Sequence, residues 1–153
     1  MDLLQLMQNR RSIRSFADAP VPPEALGHIL QAAALAPTSR NRKPCTFHPV
    51  TDRASLQKLS AAKQAGAAFT ADAGAAIVVS ADSNKADTWV EDSAIAMTYM
   101  MLAAEEQGLG ACWVQLHLRF DASGRDAEDN ARELLELPPN ERIVGFLALG
   151  VRA

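Results

Sequence analysis

The sequence is short of the residues that usually announce a function. It has two cysteines, Cys45 and Cys112, 67 positions apart. That excludes a disulfide scaffold, and both read as buried, reduced thiols. Eight glycines and eight prolines exclude collagen-like or low-complexity behaviour. A charged fraction of 22% with nearly balanced sign argues against disorder. The longest apolar-rich run, Ala94 to Ala104, is interrupted by Thr98 and is too short to span a bilayer. The N-terminus lacks the basic and apolar regions of a secretory signal. These absences predict a soluble, cytoplasmic protein with no membrane partner. There is no Walker loop, no G-x-G-x-x-G, no G-x-S-x-G and no C-x-x-C. His28, His48 and His117 are scattered without metal-ligand spacing, so no metal site is expected.

What is present is mostly alanine. Of the hydrophobic residues, which make up 48% of the chain, 29 are alanine. Each alanine removes little apolar area from water, so the core is thin. A 153-residue chain of this kind forms one domain, residues 1–153, and tends to finish its burial in an oligomer. The net charge of −3 is unevenly spread. Residues 1–53 carry seven basic and four acidic groups, and the remainder eight and fourteen. A basic cluster in an acidic chain points to a small anion. Nucleic acid is not expected, because its affinity needs many phosphate contacts and interleaved aromatics.

Hydrophobic spacing and breakers predict about five helices and four strands. Residues 2–9 read as a helix with Asp2 as N-cap, and Pro23 to Leu35 as a second, stopped by Pro37. Cys45 to Val50 reads as a strand and Asp52 to Ala62 as a helix. Ala75 to Ser80 is a buried strand. Asp87 to Gln107 is the longest helix, apolar nearly all round in its second half. Ala111 to Leu118, Asp126 to Leu137 and Glu141 to Val151 complete the series as strand, helix and strand. The class is α+β, and two helices before any strand disfavour a Rossmann order.

Three clusters carry chemistry. Arg10, Arg11, Ser12 and Arg14 put three guanidiniums and a hydroxyl at a helix end. Guanidinium donors match phosphate oxygens in pairs. Pro37-Thr38-Ser39-Arg40-Asn41-Arg42-Lys43-Pro44 is a polar, donor-rich loop between a helix and a strand. Gly108-Leu109-Gly110-Ala111-Cys112-Trp113-Val114-Gln115 pairs glycines, which admit a close flat ligand, with apolar cover and a polar edge. Alone, each has an ordinary reading: a solvated basic patch, an αβ loop, a helix cap running into a core strand.

Together and in this order, the segments resemble the FMN-dependent nitroreductase family. The likeness runs through Arg10-Arg11-Ser12-Ile13-Arg14-Ser15-Phe16 and Ala36-Pro37-Thr38-Ser39-Arg40-Asn41-Arg42-Lys43-Pro44-Cys45-Thr46-Phe47. It continues through Gly108 to Val114 and ends at Leu147-Ala148-Leu149-Gly150. The resemblance implies a mixed, mainly antiparallel sheet flanked by helices. It also implies an intertwined homodimer with FMN at the subunit interface. Arg10, Arg11, Ser12 and Arg14 would hold the phosphate and the pyrimidine edge. Pro37, Thr38, Ser39 and Asn41 would come from the other subunit. Trp113, Val114 and Gln115 would cover one ring face, partly through backbone groups. Ala94, Ala96, Ala103 and Ala104 would let the long helix pack against its partner. The implied activity is ping-pong hydride transfer from NADH or NADPH through flavin N5 to a nitroaromatic, quinone or similar acceptor. No side chain need act as acid or base, so the catalytic role falls to the flavin.

The sequence departs from the family pattern in four places. Lys43 replaces glutamine, Cys45 replaces tryptophan, and residues 69–72 lack an expected asparagine and lysine. The sequence runs three residues past Gly150, where longer members continue into a basic arm. Of that arm only Arg152 is represented, which leaves the N-terminal arginines as the main phosphate ligands. These departures motivate an alternative, a non-enzymatic flavin-binding module of the same fold.

Overall fold

The computed structural model describes residues 1–153. The helices are α1 (Leu3–Asn9), α2 (Pro23–Leu35), α3 (Arg53–Ser60), α4 (Trp89–Glu106) and α5 (Ala127–Leu135). The strands are β1 (Cys45–Val50), β2 (Ala75–Asp82), β3 (Gly110–Gln115) and β4 (Glu141–Gly150). Side chains set several boundaries. Asp2 and Gln5 form a reciprocal capping box on α1. Asp52 and Asp126 accept from the first turns of α3 and α5. Pro23 opens α2 with its ring already at a helical φ. Gly108, at φ 73°, turns the chain out of α4 in the left-handed conformation.

The sheet order is β1-β2-β4-β3 and every neighbour is antiparallel. A single parallel bridge joins Ser12 to Ala111 at the β3 edge. β2 and β4 are central, which is why both read as nearly unbroken apolar runs. Ala75, Ile77, Val79, Leu147 and Leu149 face α2 and α4, meeting Ile29, Met97 and Met100. Ala76, Val78, Phe146, Ala148 and Val114 face α3 and α5, meeting Leu56, Leu59, Ala127 and Ala131. Period-two alternation therefore sorts the sheet's side chains into two cores. Gly145 lets β3 and β4 approach; a Cβ there would collide with the Val114 carbonyl oxygen.

Two expectations change. β3 ends at Gln115, and residues 116–119 form a turn with Leu118 at φ 60°. Ala96, Ala103 and Ala104 pack inside their own chain, so of the four α4 alanines only Ala94 is left half-exposed. The small residues serve close packing within the chain. Ile95 and Tyr99 occupy the exposed side of α4, and Leu3, Leu4 and Met7 that of α1. No helix is long and apolar enough to cross a membrane.

Candidate functional site

After α1 the chain runs extended along the start of β3. The Ile13 N–H donates to the Ala111 carbonyl at 2.9 Å, and the Ala17 N–H to Val151 at 2.8 Å. Ile13 and Phe16 turn inward. A Cβ on Gly110 would stand 2.8 Å from Ile13, and one on Gly150 would stand 2.5 Å from the Phe16 ring. Gly110 and Gly150 thus make room for the protein's own chain, whereas Gly108 has open space beside it.

With Ile13 and Phe16 turned inward and half-buried, the arginines around them turn outward. Arg11, Ser12 and Arg14 are exposed and Arg10 is half-exposed. None of the three arginines has a carboxylate within ion-pair distance, although Arg42, Arg125, Arg132, Arg142 and Arg152 all do. Arg11 folds back onto the end of α1, donating to the Gln8 carbonyl at 2.6 Å and its neighbour Arg10's at 2.8 Å. Arg10 and Arg14 keep their donors. Arg14 lines a polar hollow of about 500 Å³ with Asp18, Arg53, Gln57 and Asp72. Arg53, at the head of α3, is a cation that the sequence did not mark. It donates to the carbonyls of Ala71 and Ala73, the latter at 3.0 Å. Arg152 is committed to Glu105 and the Leu109 carbonyl.

The loop after α2 is strained and tied down by hydrogen bonds. Arg40, Asn41 and Lys43 all have positive φ, at 54°, 53° and 50°. Such conformations cost non-glycine residues energy and persist only where the surroundings impose them. The imposing group is Asp92 on α4, which is 2% exposed. One of its oxygens accepts the Ser39 N–H and the other the Thr88 hydroxyl, each at 3.0 Å. The Thr38 hydroxyl accepts the Lys43 N–H at 3.0 Å. Pro37, Ser39 and Asn41 stay exposed. Beneath the loop lies a cavity of about 370 Å³, walled by Ala33, Ala36, Cys45, Phe47 and Ala96, with Lys43 and Asp92 as its charged groups. Burial pushes the Cys45 thiol above its ordinary range.

On β3, Trp113 and Gln115 share the face toward α4 and remain half-buried. The Trp113 indole N–H donates to the Gln115 amide oxygen at 3.0 Å, and the Gln115 amide donates to the His117 carbonyl at 3.2 Å. Val114 points the other way. It is 1% exposed and packs in the α3/α5 core, so its side chain cannot cover the ring face with Trp113.

The clusters do not converge within one chain. The arginine segment lies along the β3 edge and the strained loop at the β1 edge. Three strand spacings, about 14 Å, separate those edges. The two also sit at opposite ends of the sheet. Ala111 pairs with Leu149, which pairs with Ala75; Cys45 pairs with Ala81 at the far end of β2.

A second polar centre escaped the sequence reading. Glu128, 1% exposed, accepts from Arg142 Nε and Nη2 and from the Ile143 N–H at 2.9 Å, and lies 2.8 Å from His117 Nδ1. Burial alone would raise its pKa, but the hydrogen bonds from Arg142, His117 and Ile143 hold it at about 2. Arg142 stacks 4.5 Å above the Trp89 ring, and His117 meets that ring edge-on at 5.0 Å.

With this geometry in hand, likenesses to known proteins become informative. The sequence model described as the nitroreductase family matches residues 7–68 and 53–151. A protein of Archaeoglobus fulgidus named "Putative NADH dehydrogenase/NAD(P)H nitroreductase" is 35% identical over 97% of this chain and 84% of its own. An FMN-dependent nitroreductase from Clostridium difficile superposes with a TM-score of 0.95 at 37% identity, over 97% of this chain and 87% of that one. A Desulfovibrio desulfuricans protein solved in complex with FMN superposes at 0.82 with 27% identity, over 100% and 87%.

Proposed function

The chain belongs to the nitroreductase family, and on that footing we propose that it is an FMN-dependent NAD(P)H oxidoreductase. It reduces small flat acceptors such as nitroaromatics and quinones. It works in the cytoplasm as a homodimer, each chain being one domain. The observation that carries this reading is the diagonal separation of two unfinished half-sites. Unpaired Arg10 and Arg14 lie at one corner of the sheet and the strained Pro37–Asn41 loop at the other. Two copies supply one complete site, each giving the half that the other lacks. The exposed Leu3, Leu4, Met7, Ile95 and Tyr99 offer the apolar surface for pairing.

The donor set fits FMN in kind. Arg10 and Arg14 are cations without a direct ion pair, suited to a phosphate dianion, and Ser12 adds a hydroxyl. Arg11 would join them by leaving the Gln8 carbonyl. Ser39 and Asn41 present polar groups from the partner's loop. Trp113 and Gln115 give an apolar face and an amide edge. Bound FMN supplies the two-electron redox chemistry that no side chain here can perform. The protein's part is placement and charge. A guanidinium at the pyrimidine edge stabilises negative charge there, and Arg10 or Arg14 fills that role. Asp92 fixes the loop, so the polar groups are set before a ligand arrives.

The test is direct. The purified protein should be yellow, and NADH or NADPH should bleach it without oxygen. Arg10→Ala with Arg14→Ala should lose FMN and keep the dimer mass. A protein that FMN titration never saturates would overturn the reading. A flavin that binds but stays oxidised with either nicotinamide would point instead to a non-catalytic module.

A further inference from the structure

The turn that follows β3 is exposed, apolar and firmly held. Leu118 is 71% exposed at φ 60°, and Phe120 is 56% exposed. Neither residue is on a loose loop. The Arg119 N–H donates to Leu116 at 3.1 Å, the Arg119 carbonyl accepts from Ala127 at 2.9 Å, and the Phe120 carbonyl accepts from Gln64 at 2.8 Å. A hollow of about 340 Å³ opens beside the turn, lined by Lys63, Gln64, Ala65, Leu118, Arg119 and Phe120.

Its two charged groups are both cations. Lys63 is half-buried and folds across Gly66, whose added Cβ would lie 3.6 Å from Nζ. Neither Lys63 nor Arg119 has a carboxylate partner, unlike Arg125 on the same connection, which pairs with Glu133 at 2.6 Å. The nearest acid in sequence, Asp121, is occupied by Ser123, the Arg125 N–H and Asn130. Burial and the neighbouring Arg119 charge both lower the Lys63 pKa, as expected for cations held together without a counterion. Arg119 spends one donor on the Leu118 carbonyl at 3.1 Å and keeps the rest.

We propose that this hollow binds a small ligand with a flat aromatic body and one anionic group, a phosphate or a carboxylate. Lys63 and Arg119 take the anion, the guanidinium matching two of its oxygens. Phe120 and Leu118 take the flat body, the ring by stacking. The hollow's size suits one ring system, not a long polyanion. None of the residues lining this hollow belongs to the proposed flavin site.

The experiment titrates the full-length protein, saturated with FMN, by calorimetry. The probes are 5′-AMP, benzoate and inorganic phosphate. At least one aromatic probe should bind with a dissociation constant below about 1 mM, and inorganic phosphate more weakly. Preference for 5′-AMP identifies a nucleotide phosphate, and preference for benzoate an aryl carboxylate. Lys63→Gln with Arg119→Gln should weaken the aromatic probe at least about tenfold. Phe120→Ala should reduce it to the level of inorganic phosphate. FMN content and thermal midpoint should not change. The proposal fails if neither aromatic probe binds, or if the double substitution leaves binding unchanged. It also fails if that substitution releases FMN, since the hollow would then belong to the cofactor. Repeating the titration without FMN separates the two ideas: probe binding by a protein that never takes up FMN would sink the flavin reading and leave this one standing.

Discussion

Glu128 and its neighbours set charge against charge inside the fold, whereas Arg10 and Arg14 hold theirs outward with no carboxylate in ion-pair distance. Around Glu128, His117, Arg142 and the Ile143 N–H reach a single buried carboxylate. Around Arg14, a polar hollow receives side chains that no ion pair consumes. Satisfied charges tie α5, β4 and the turn after β3 together. Unsatisfied ones add little to the fold and remain available to a ligand. Charged side chains thus do two different jobs here, distinguished only by what lies opposite.

The contrast breaks most sharply at Glu128. Glu128→Ala leaves Arg142 uncompensated and His117 without its partner, and should cost roughly 4 kcal/mol in urea unfolding. Equal stability of the variant would mean the network contributes nothing. A milder form of the same loss comes from acid. The folded pKa of Glu128, about 2, lies below its ordinary value of 4.5. The stabilisation is therefore complete above about pH 4.5 and fades as pH falls toward 2, a loss of roughly 3 kcal/mol. An acid titration of Glu128→Gln should lack that share of the slope. Asp92→Ala frees the Ser39 N–H and the Thr88 hydroxyl and should cost roughly 2 kcal/mol. It should also weaken FMN binding, because the strained loop loses its anchor. The smallest stability effect belongs to Arg10→Ala with Arg14→Ala, within about 0.5 kcal/mol of the parent. The same variant should show the largest loss of FMN, read by fluorescence titration. A stability loss as large as that at Glu128 would erase the distinction between the corners.

Most element boundaries were legible because local chemistry sets them. Pro23 and Pro37 bracket α2, and Asp52 and Asp126 cap the helices behind them. The arginine cluster and the Thr38–Lys43 loop were legible for the same reason, as each is continuous in sequence. The Glu128 centre was not. Its partners come from positions 117, 142 and 143, and no short window contains them. Arg53 and Asp92 are missed likewise, since each acts on a segment far along the chain. Val114 is a different case, because only its backbone is left for the ring face. Alternation puts it opposite Trp113, and that plain rule outweighs the motif that grouped them. Gly110 reads two ways because a missing Cβ makes equal room for a ligand or for Ile13.

The diagonal placement of the half-sites has one more consequence. If the cofactor needs a corner from each of two chains, holding FMN and finding a partner become one linked equilibrium. Dilution then strips the cofactor, and added cofactor draws chains together. A chain crippled at Arg10 and Arg14, mixed with one crippled at Ser39 and Asn41, would regain a single intact site in each mixed pair. Two inactive preparations would restore part of each other's activity, as separate halves of a shared instrument.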